Sequence, residues 1–186
     1  MIRPVAALVA VVLLAGCGVP TEGAPRTVPP PPGPFPSPAT GAPVPPAGPV
    51  TEVLCLVRDD RLVTVERRVD GVPTVDAQLA HLLAGPTAAE RDRGLTTALP
   101  GAVTTATARV SEARAEVDVG APGEETGRSD EVLAFGQIVC TLTARDDIDT
   151  VSFLRAGTPL GVPRADGSLT QQPLTAADYA DLVAPR

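Results

Sequence analysis

The chain has 186 residues, of which 44 % are apolar and 2 % aromatic, and its formal net charge is −7. This length supplies the core of one folded domain rather than two. The scarcity of aromatic side chains and the acidic balance exclude the stacking platforms and basic surfaces that bind nucleic acid. One His and three Cys leave few ligands for a soft metal ion, so we expect no nucleic-acid partner, metal or cofactor.

The start of the chain has the features of a bacterial lipoprotein signal. An apolar run at residues 5–15 follows Arg3, and it is shorter than the about 20 residues that a membrane-spanning helix needs. It ends in LAGC, which matches the lipobox. We predict that residues 1–16 are a signal peptide and that Cys17 is acylated, which anchors the protein to the lipid bilayer at the extracytoplasmic face of the cell membrane. The alternative is ordinary secretory cleavage that leaves Cys17 as a free thiol.

A proline-rich segment follows the predicted lipid anchor. Residues 18–50 contain 13 prolines and only two charged residues, Glu22 and Arg26. Such a composition cannot bury a core, and its prolines lack the N–H groups of a strand ladder. We therefore predict that residues 17–50 form a disordered tether and that residues 51–186 form the folded domain. A ligand for a proline-recognising domain is the less favoured alternative.

The first half of the predicted domain contains two strands and two helices. The strands are predicted at residues 51–58 and 61–69, with a turn at Asp59 and Asp60. Thr74 is predicted to cap a helix that ends near Ala84. Thr87, which precedes Glu90 at capping-box spacing, predicts a short second helix.

The second half is predicted to contain a hairpin, a long helix, two short strands and a final helix. The hairpin comprises residues 103–110 and 114–119, and a mobile loop follows at residues 120–128. Ser129 is predicted to cap a deeply buried helix in which Gly136 allows close approach to a sheet. Strands are predicted at residues 148–154 and 160–163, and a helix from Thr175 to Val183. This order indicates an α+β two-layer sandwich of a mixed or antiparallel sheet with helices on one side.

Five collinear segments resemble the GerMN domain, a sporulation and spore germination domain, as it occurs in actinobacterial lipoproteins. They are EVLCLVRDDRLVTVERRV, LLAGPTAAERDRGLTTALP, AEVDVG, GQIVCTLTARDDIDTVSFL and PRADGSLTQQPLTAADY, which together span about residues 53–183. The resemblance implies a fold akin to ring-building motif domains and a role as an envelope-anchored assembly module. It implies no catalytic residue.

Cys55 and Cys140 are predicted to form a disulfide. Once Cys17 is acylated these two thiols remain, both on apolar faces, in an exported protein where oxidation is permitted. Many GerMN relatives have an aromatic side chain at these positions, and this departure strengthens the expected pairing. A pair of inert buried thiols is the alternative.

Residues that could carry out catalysis are few. His81 is the only histidine and lies among apolar residues at helical spacing, so we expect a packed or surface role. The acid pairs Glu124 with Glu125 and Asp146 with Asp147 provide the two carboxylates of a glycosidase, but both lie in predicted loops or turns where solvated charge is the simpler explanation.

An anion could bind at the Gly85-Pro86-Thr87 segment, which precedes a helix and presents N–H groups. Pro86 removes one of these donors, so the signal is weak.

These observations favour a non-enzymatic lipoprotein whose domain binds another envelope protein or a second copy of itself. Strand 61–69, or the fifth and sixth strands, would offer a sheet edge to a partner strand. The alternatives are a wall-glycan hydrolase that uses paired carboxylates and a carrier of a small or lipidic ligand. A cleft with two facing acids would favour the hydrolase, an apolar cavity the carrier, and an exposed strand edge the assembly module.

Replacing Cys17 tests the predicted lipid anchor. Intact-mass measurement of membrane-extracted protein should show a diacylglyceryl group on residue 17. A Cys17→Ser variant should leave the membrane on salt washing, because it cannot be acylated. If this variant remains on salt-washed membranes, the prediction is wrong.

Overall fold

Strands β1 (Val50–Arg58) and β2 (Arg61–Val69) form an antiparallel ribbon in the computed structural model of the protein. Asp59 and Asp60 join them with φ angles of 52° and 57°, as a type I′ turn requires. Both predicted strands and their turn are thereby confirmed.

The structure describes residues 48–120 and 128–185, without the side chains of residues 128–130. The predicted signal peptide, Cys17, nearly all of the predicted tether and most of the predicted loop at residues 120–128 lie outside the described residues. Among the helices that the structure describes, none has the length and apolar character needed to cross a membrane.

Three helices follow the ribbon, and the first two are those expected from their caps. Helix α1 (Val75–Leu83) begins after Thr74, whose Oγ1 accepts a hydrogen bond from the Ala77 N–H at 3.2 Å. Helix α2 (Ala88–Arg91) has the predicted capping box of Thr87 and Glu90. The third, α3 (Leu99–Ala102), was not predicted, because it has no side-chain cap and its LPGA sequence contains Pro and Gly.

A mixed four-stranded sheet contains β3 (Ala106–Ser111), β4 (Arg114–Val119), β5 (Thr150–Arg155) and β6 (Thr158–Pro159), in that order. β4 and β5 are parallel, and the crossover between them contains helix α4 (Arg128–Leu142). α4 begins one residue before Ser129, so Ser129 is not its N-cap. β3 begins at Ala106, three residues later than predicted, because residues 103–105 form the connection that follows α3.

The C-terminal segment differs most from the prediction. The expected sixth strand at residues 160–163 forms only in its second half, as β7 (Val162–Pro163), which pairs with β8 (Leu169–Thr170) in a separate two-stranded sheet. β6, which pairs with β5, lies just before the predicted range. The expected final helix is a 3-10 helix, Ala176–Leu182. The chain has the predicted α+β fold, and the strands that the structure describes lie in three sheets.

Helix α4 packs closely on the ribbon at Gly136. A Cβ atom at this position would lie 2.9 Å from Cδ1 of Tyr179 and 3.1 Å from Cδ1 of Leu62, a residue of β2. The Tyr179 ring cannot easily move, because it is buried and its hydroxyl donates to the Pro163 carbonyl at 2.6 Å. The expected close approach of Gly136 to a sheet is confirmed.

Side chains from the helices satisfy three backbone groups of β1 on the side away from β2. The Cys55 N–H donates to Oγ1 of Thr141 at 2.9 Å, and the Cys55 carbonyl accepts from Nε2 of Gln137 at 3.0 Å. Gln78 of α1 donates from Nε2 to the Val53 carbonyl at 2.8 Å. These three side chains are buried, and each replaces part of a missing neighbouring strand.

A disulfide links this edge of the ribbon to α4. Cys55 of β1 and Cys140 of α4 are bonded, with Cα atoms 5.9 Å apart and 85 residues between them in sequence. The bond therefore fixes the helix beside the strand whose backbone groups its polar side chains satisfy.

Thiol counting tests the disulfide. A Cys17→Ser variant denatured without reductant should react with no maleimide, and with two equivalents after reduction. Reduction should lower the free energy of unfolding by about 2–5 kcal/mol, as for other native disulfides. Two reactive thiols before reduction would show that the pair is not oxidised.

Two Thr-to-Val substitutions at the C-terminal end of α4 test whether this helix closes the outer side of β1. Thr141→Val should lower the free energy of unfolding by about 1–3 kcal/mol, because it leaves the buried Cys55 N–H without an acceptor. Thr143→Val is the control: Thr143 Oγ1 donates to the Val139 carbonyl, which also accepts from the Thr143 N–H at 2.9 Å and so keeps a partner. Urea denaturation should separate the two variants, and equal losses would contradict this interpretation.

Candidate functional site: the open edge of strand β2

His81, the only histidine, lies on α1 beside a buried carboxylate. Its Nδ1 is 3.0 Å from both carboxylate oxygens of Glu52, whose side chain on β1 has no exposed surface. Nearly half of the His81 side chain is exposed, so the pair lies at the boundary of the core. This contact supports the packed role that was expected for His81.

The predicted acid pairs do not form a described pair of facing carboxylates. Asp147 accepts hydrogen bonds from Nε and Nη2 of Arg145 at 2.7 and 2.9 Å. Hydrogen bonding to Arg145 lowers the pKa of Asp147, so this group is a poor proton donor at neutral pH. Asp146 is exposed in the same turn, and Glu124 and Glu125 lie outside the described residues.

The chain's own carboxylate occupies the weak anion site considered at Gly85-Pro86-Thr87. The Thr87 N–H donates to Oε2 of Glu90 at 2.7 Å, and Arg67 donates to both Glu90 oxygens at 3.0 and 2.6 Å. The hydrogen bond from Arg67 is the main cause that lowers the pKa of Glu90 to about 2. Glu90 is therefore the ionised partner of these donors.

Acidic side chains line one groove on the described surface and serve there as hydrogen-bond acceptors. A groove of about 270 Å³ contains Asp76, Glu116 and Asp118. Asp76 accepts from the Ala108 N–H and Asp118 from two further backbone N–H groups, so both act as structural acceptors. Within residues 48–120 and 128–185, no three His, Cys, Asp or Glu side chains cluster in a way that could hold a metal ion.

The register of the ribbon shows which backbone groups of β2 face away from β1. Val57 and Cys55 bond to groups outside the ribbon, and they lie opposite Leu62 and Thr64. In an antiparallel pair, residues alternate between facing the neighbouring strand and facing away from it. From Leu62 onward, every second residue of β2 therefore directs its N–H and carbonyl to the outside.

Most of this outer side of β2 is unpaired within the described part of the chain. Leu62 is covered, because its carbonyl accepts from the Ala184 N–H at 2.8 Å. Thr64, Glu66 and Arg68 are exposed, and their outward backbone groups bond to no described residue. We call the outward backbone groups of these three residues the open edge.

The other strands that were considered as edges are less suitable. β5 lies between β4 and β6, so it is not an edge strand, contrary to the expectation. β6 has two residues, one of them Pro159, and proline cannot donate to a partner strand. Asp76 caps the Ala108 N–H on β3. β2 therefore offers the longest run of free strand backbone that the structure describes.

Sequence reasoning named β2 as a candidate edge but did not identify the polar residues that close β1. Gln78, Gln137 and Thr141 occupy buried positions inside apolar helical patterns. In the sequence, each is a polar residue that interrupts the apolar face of a helix. Such a residue indicates a buried hydrogen bond, but the sequence does not show to which group.

The comparisons with known proteins agree with this fold. A family model described as "Germane: Sporulation and spore germination" matches residues 41–161. The tandem GerMN domains of the sporulation protein GerM from Bacillus subtilis match with a TM-score of 0.51 and 20 % identity, over 76 % of this chain and 50 % of that one. The chain thus spans half the length of that tandem structure.

The first GerMN domain of the same protein, solved separately, has a TM-score of 0.51 and 19 % identity, with 69 % of this chain and 98 % of that one covered. No curated protein sequence matches the chain. The family match covers more than half of the chain, and the structural matches show the same fold. The chain therefore belongs to the Germane family of sporulation and spore germination domains.

Proposed function

We propose that this protein is a non-enzymatic lipoprotein, anchored through Cys17 at the extracytoplasmic face of the cell membrane, whose GerMN domain binds an envelope protein. The observation that carries the proposal is the open edge of β2. A partner strand can pair with the free N–H and carbonyl groups of Thr64, Glu66 and Arg68 and extend the ribbon by one strand.

The difference between the two edges of the ribbon supports this role. Gln78, Gln137 and Thr141 bind three of the outward backbone groups of β1, so side chains of this fold close part of a strand edge. At Thr64, Glu66 and Arg68 no described side chain does the same. The backbone of β2 is rigidly paired to β1 on its other side, which lowers the entropic cost of accepting a partner.

The sequence supports the anchored location. The lipobox ends at Cys17, and the proline-rich residues 18–50 separate it from the domain. A lipid anchor confines the domain to a thin layer above the membrane, which raises its effective concentration toward other membrane-bound proteins. A small interface formed by one strand edge can then be sufficient.

The non-enzymatic part of the proposal rests on the way the candidate groups are used. His81 contacts the buried Glu52, Asp147 is paired with Arg145, and Glu90 accepts from Arg67 and Thr87. Each of these groups has a structural partner that accounts for its position.

Photocrosslinking in intact cells tests this function. A benzophenone amino acid at Thr64 should produce a crosslinked species containing an envelope protein. The same group at Asp92, an exposed residue directly after α2, should not. Glu66→Pro should abolish the Thr64 crosslink, because it removes an outward N–H without removing a hydrogen bond of the ribbon. Protein level and non-reducing mobility should be unchanged.

Crosslinks that persist in the Glu66→Pro variant would contradict binding through the open edge. The hydrolase alternative is tested separately by incubating purified protein with wall glycan. Digestion that disappears in Asp147→Asn would replace the assembly role with an enzymatic one.

A further inference from the structure

The open edge carries two free charges of opposite sign. Glu66 and Arg68 are exposed, and neither forms a described ion pair. Across the ribbon they lie opposite Val53 and Thr51, which are uncharged. Their charges are therefore unpaired within residues 48–120 and 128–185.

The other two arginines of β2 have internal partners. Arg67 is bound by Glu90 and also donates to the Gly85 carbonyl at 2.9 Å. Arg61 donates to the Asp181 carbonyl at 3.2 Å. The edge consequently presents one negative and one positive side chain, two residues apart on one face, rather than a uniformly basic strip.

We infer that the partner strand is β2 of a second copy of this chain, paired antiparallel so that Glu66 lies opposite the partner's Arg68. This inference rests on the proposed use of the open edge. By two-fold symmetry Arg68 then lies opposite the partner's Glu66, so the interface contains two identical cross-strand ion pairs. The result is a continuous four-stranded sheet in the order β1, β2, partner's β2, partner's β1.

The hydrogen-bonding pattern permits this register. Glu66 and Arg68 both direct their backbone groups outward, so they can exchange N–H···O bonds with each other across the two-fold axis. Arg67 lies on this axis and faces its counterpart, the partner's Arg67. Each of these arginines is already paired with Glu90 of its own chain, which reduces the repulsion between them.

Other registers of the antiparallel β2–β2 pair are less favourable. A shift that centres the pair on Glu66 places two glutamates directly opposite each other, and like charges in this position are destabilising. A further shift places the partner's Arg68 opposite Leu62, whose outward carbonyl is already occupied by the Ala184 N–H. The register centred on Arg67 keeps the partner strand clear of this covered end.

The charges also explain why the edge would select a second copy over a chance partner. A charged side chain on an edge strand opposes indiscriminate pairing, because most incoming strands leave it unmatched. The arrangement at Glu66 and Arg68 is self-complementary, so an identical strand satisfies both charges at once. The net charge of −7 opposes approach of two copies, which makes the dimer weak in solution and dependent on confinement at the membrane.

Charge exchange tests the inference. The lipidated full-length mature protein would be labelled for energy transfer between copies and reconstituted in phosphatidylcholine vesicles. Glu66→Arg and Arg68→Glu should each weaken dimerisation about tenfold, which is about 1.4 kcal/mol. The double variant should restore energy transfer, because it re-forms both ion pairs with the signs reversed. Asp92→Arg and Arg93→Glu change the net charge equally at exposed positions, and each should change dimerisation far less than the edge variants do.

Cysteine crosslinking tests the register. Copies with Glu66→Cys mixed with copies with Arg68→Cys should form an intermolecular disulfide on oxidation, because directly opposed hydrogen-bonded residues have Cα atoms about 5.5 Å apart. Each variant alone should crosslink poorly, since like positions lie more than about 7 Å apart. Efficient crosslinking of Glu66→Cys with itself would show the other register.

The outcomes separate this inference from the proposed function. Absence of energy transfer, or failure of the double variant to restore it, overturns self-pairing. If the Thr64 photocrosslink to a different envelope protein nevertheless persists and is lost in Glu66→Pro, the proposed function stands with another partner. If neither energy transfer between copies nor the Thr64 photocrosslink is observed, the open edge is not a binding surface.

Discussion

The structure depends on the closure of β1 by helix α4. A two-stranded ribbon has unpaired backbone groups on both outer sides, and burying such groups without partners is costly. Thr141 and Gln137 satisfy the N–H and carbonyl of Cys55, and the disulfide to Cys140 holds the helix at the distance that these bonds need. Without these polar side chains, burial of β1 against the helix would leave the N–H and carbonyl of Cys55 unpaired.

This closure also determines where the domain can accept a partner. Because helix side chains bind the outer side of β1 at Val53 and Cys55, the longer run of open backbone lies on β2. There Leu62 is covered, whereas Thr64, Glu66 and Arg68 are open. The four-stranded sheet offers no comparable run: Asp76 caps part of β3, and β6 ends after two residues. The asymmetry of the ribbon therefore follows from the position of one buried helix.

Local sequence signals predicted the elements whose ends are fixed by local hydrogen bonds. The Asp59 and Asp60 turn, the Thr74 cap and the Thr87 capping box all formed at the expected positions. In contrast, α3 has no side-chain cap, and the division of residues 158–163 between two sheets depends on which distant strand each pair meets. Such choices are made by tertiary contacts and leave no local pattern.

The candidate site was predictable in part for the same reason. Strand 61–69 was named from sequence as one of several candidate edge strands. Which of its residues face outward depends on the register with β1, and which charges are free depends on Glu90, a residue from another element.

The position of the disulfide has a mechanical consequence. A pull on the chain ahead of Val50 can peel only the first five residues of β1 from β2 before the load reaches Cys55 and passes through a covalent bond into α4. Tension arriving from the N-terminal side is thus borne by the core, and β2 keeps its β1 partner under load from Arg61 to Thr64, opposite Arg58 to Cys55.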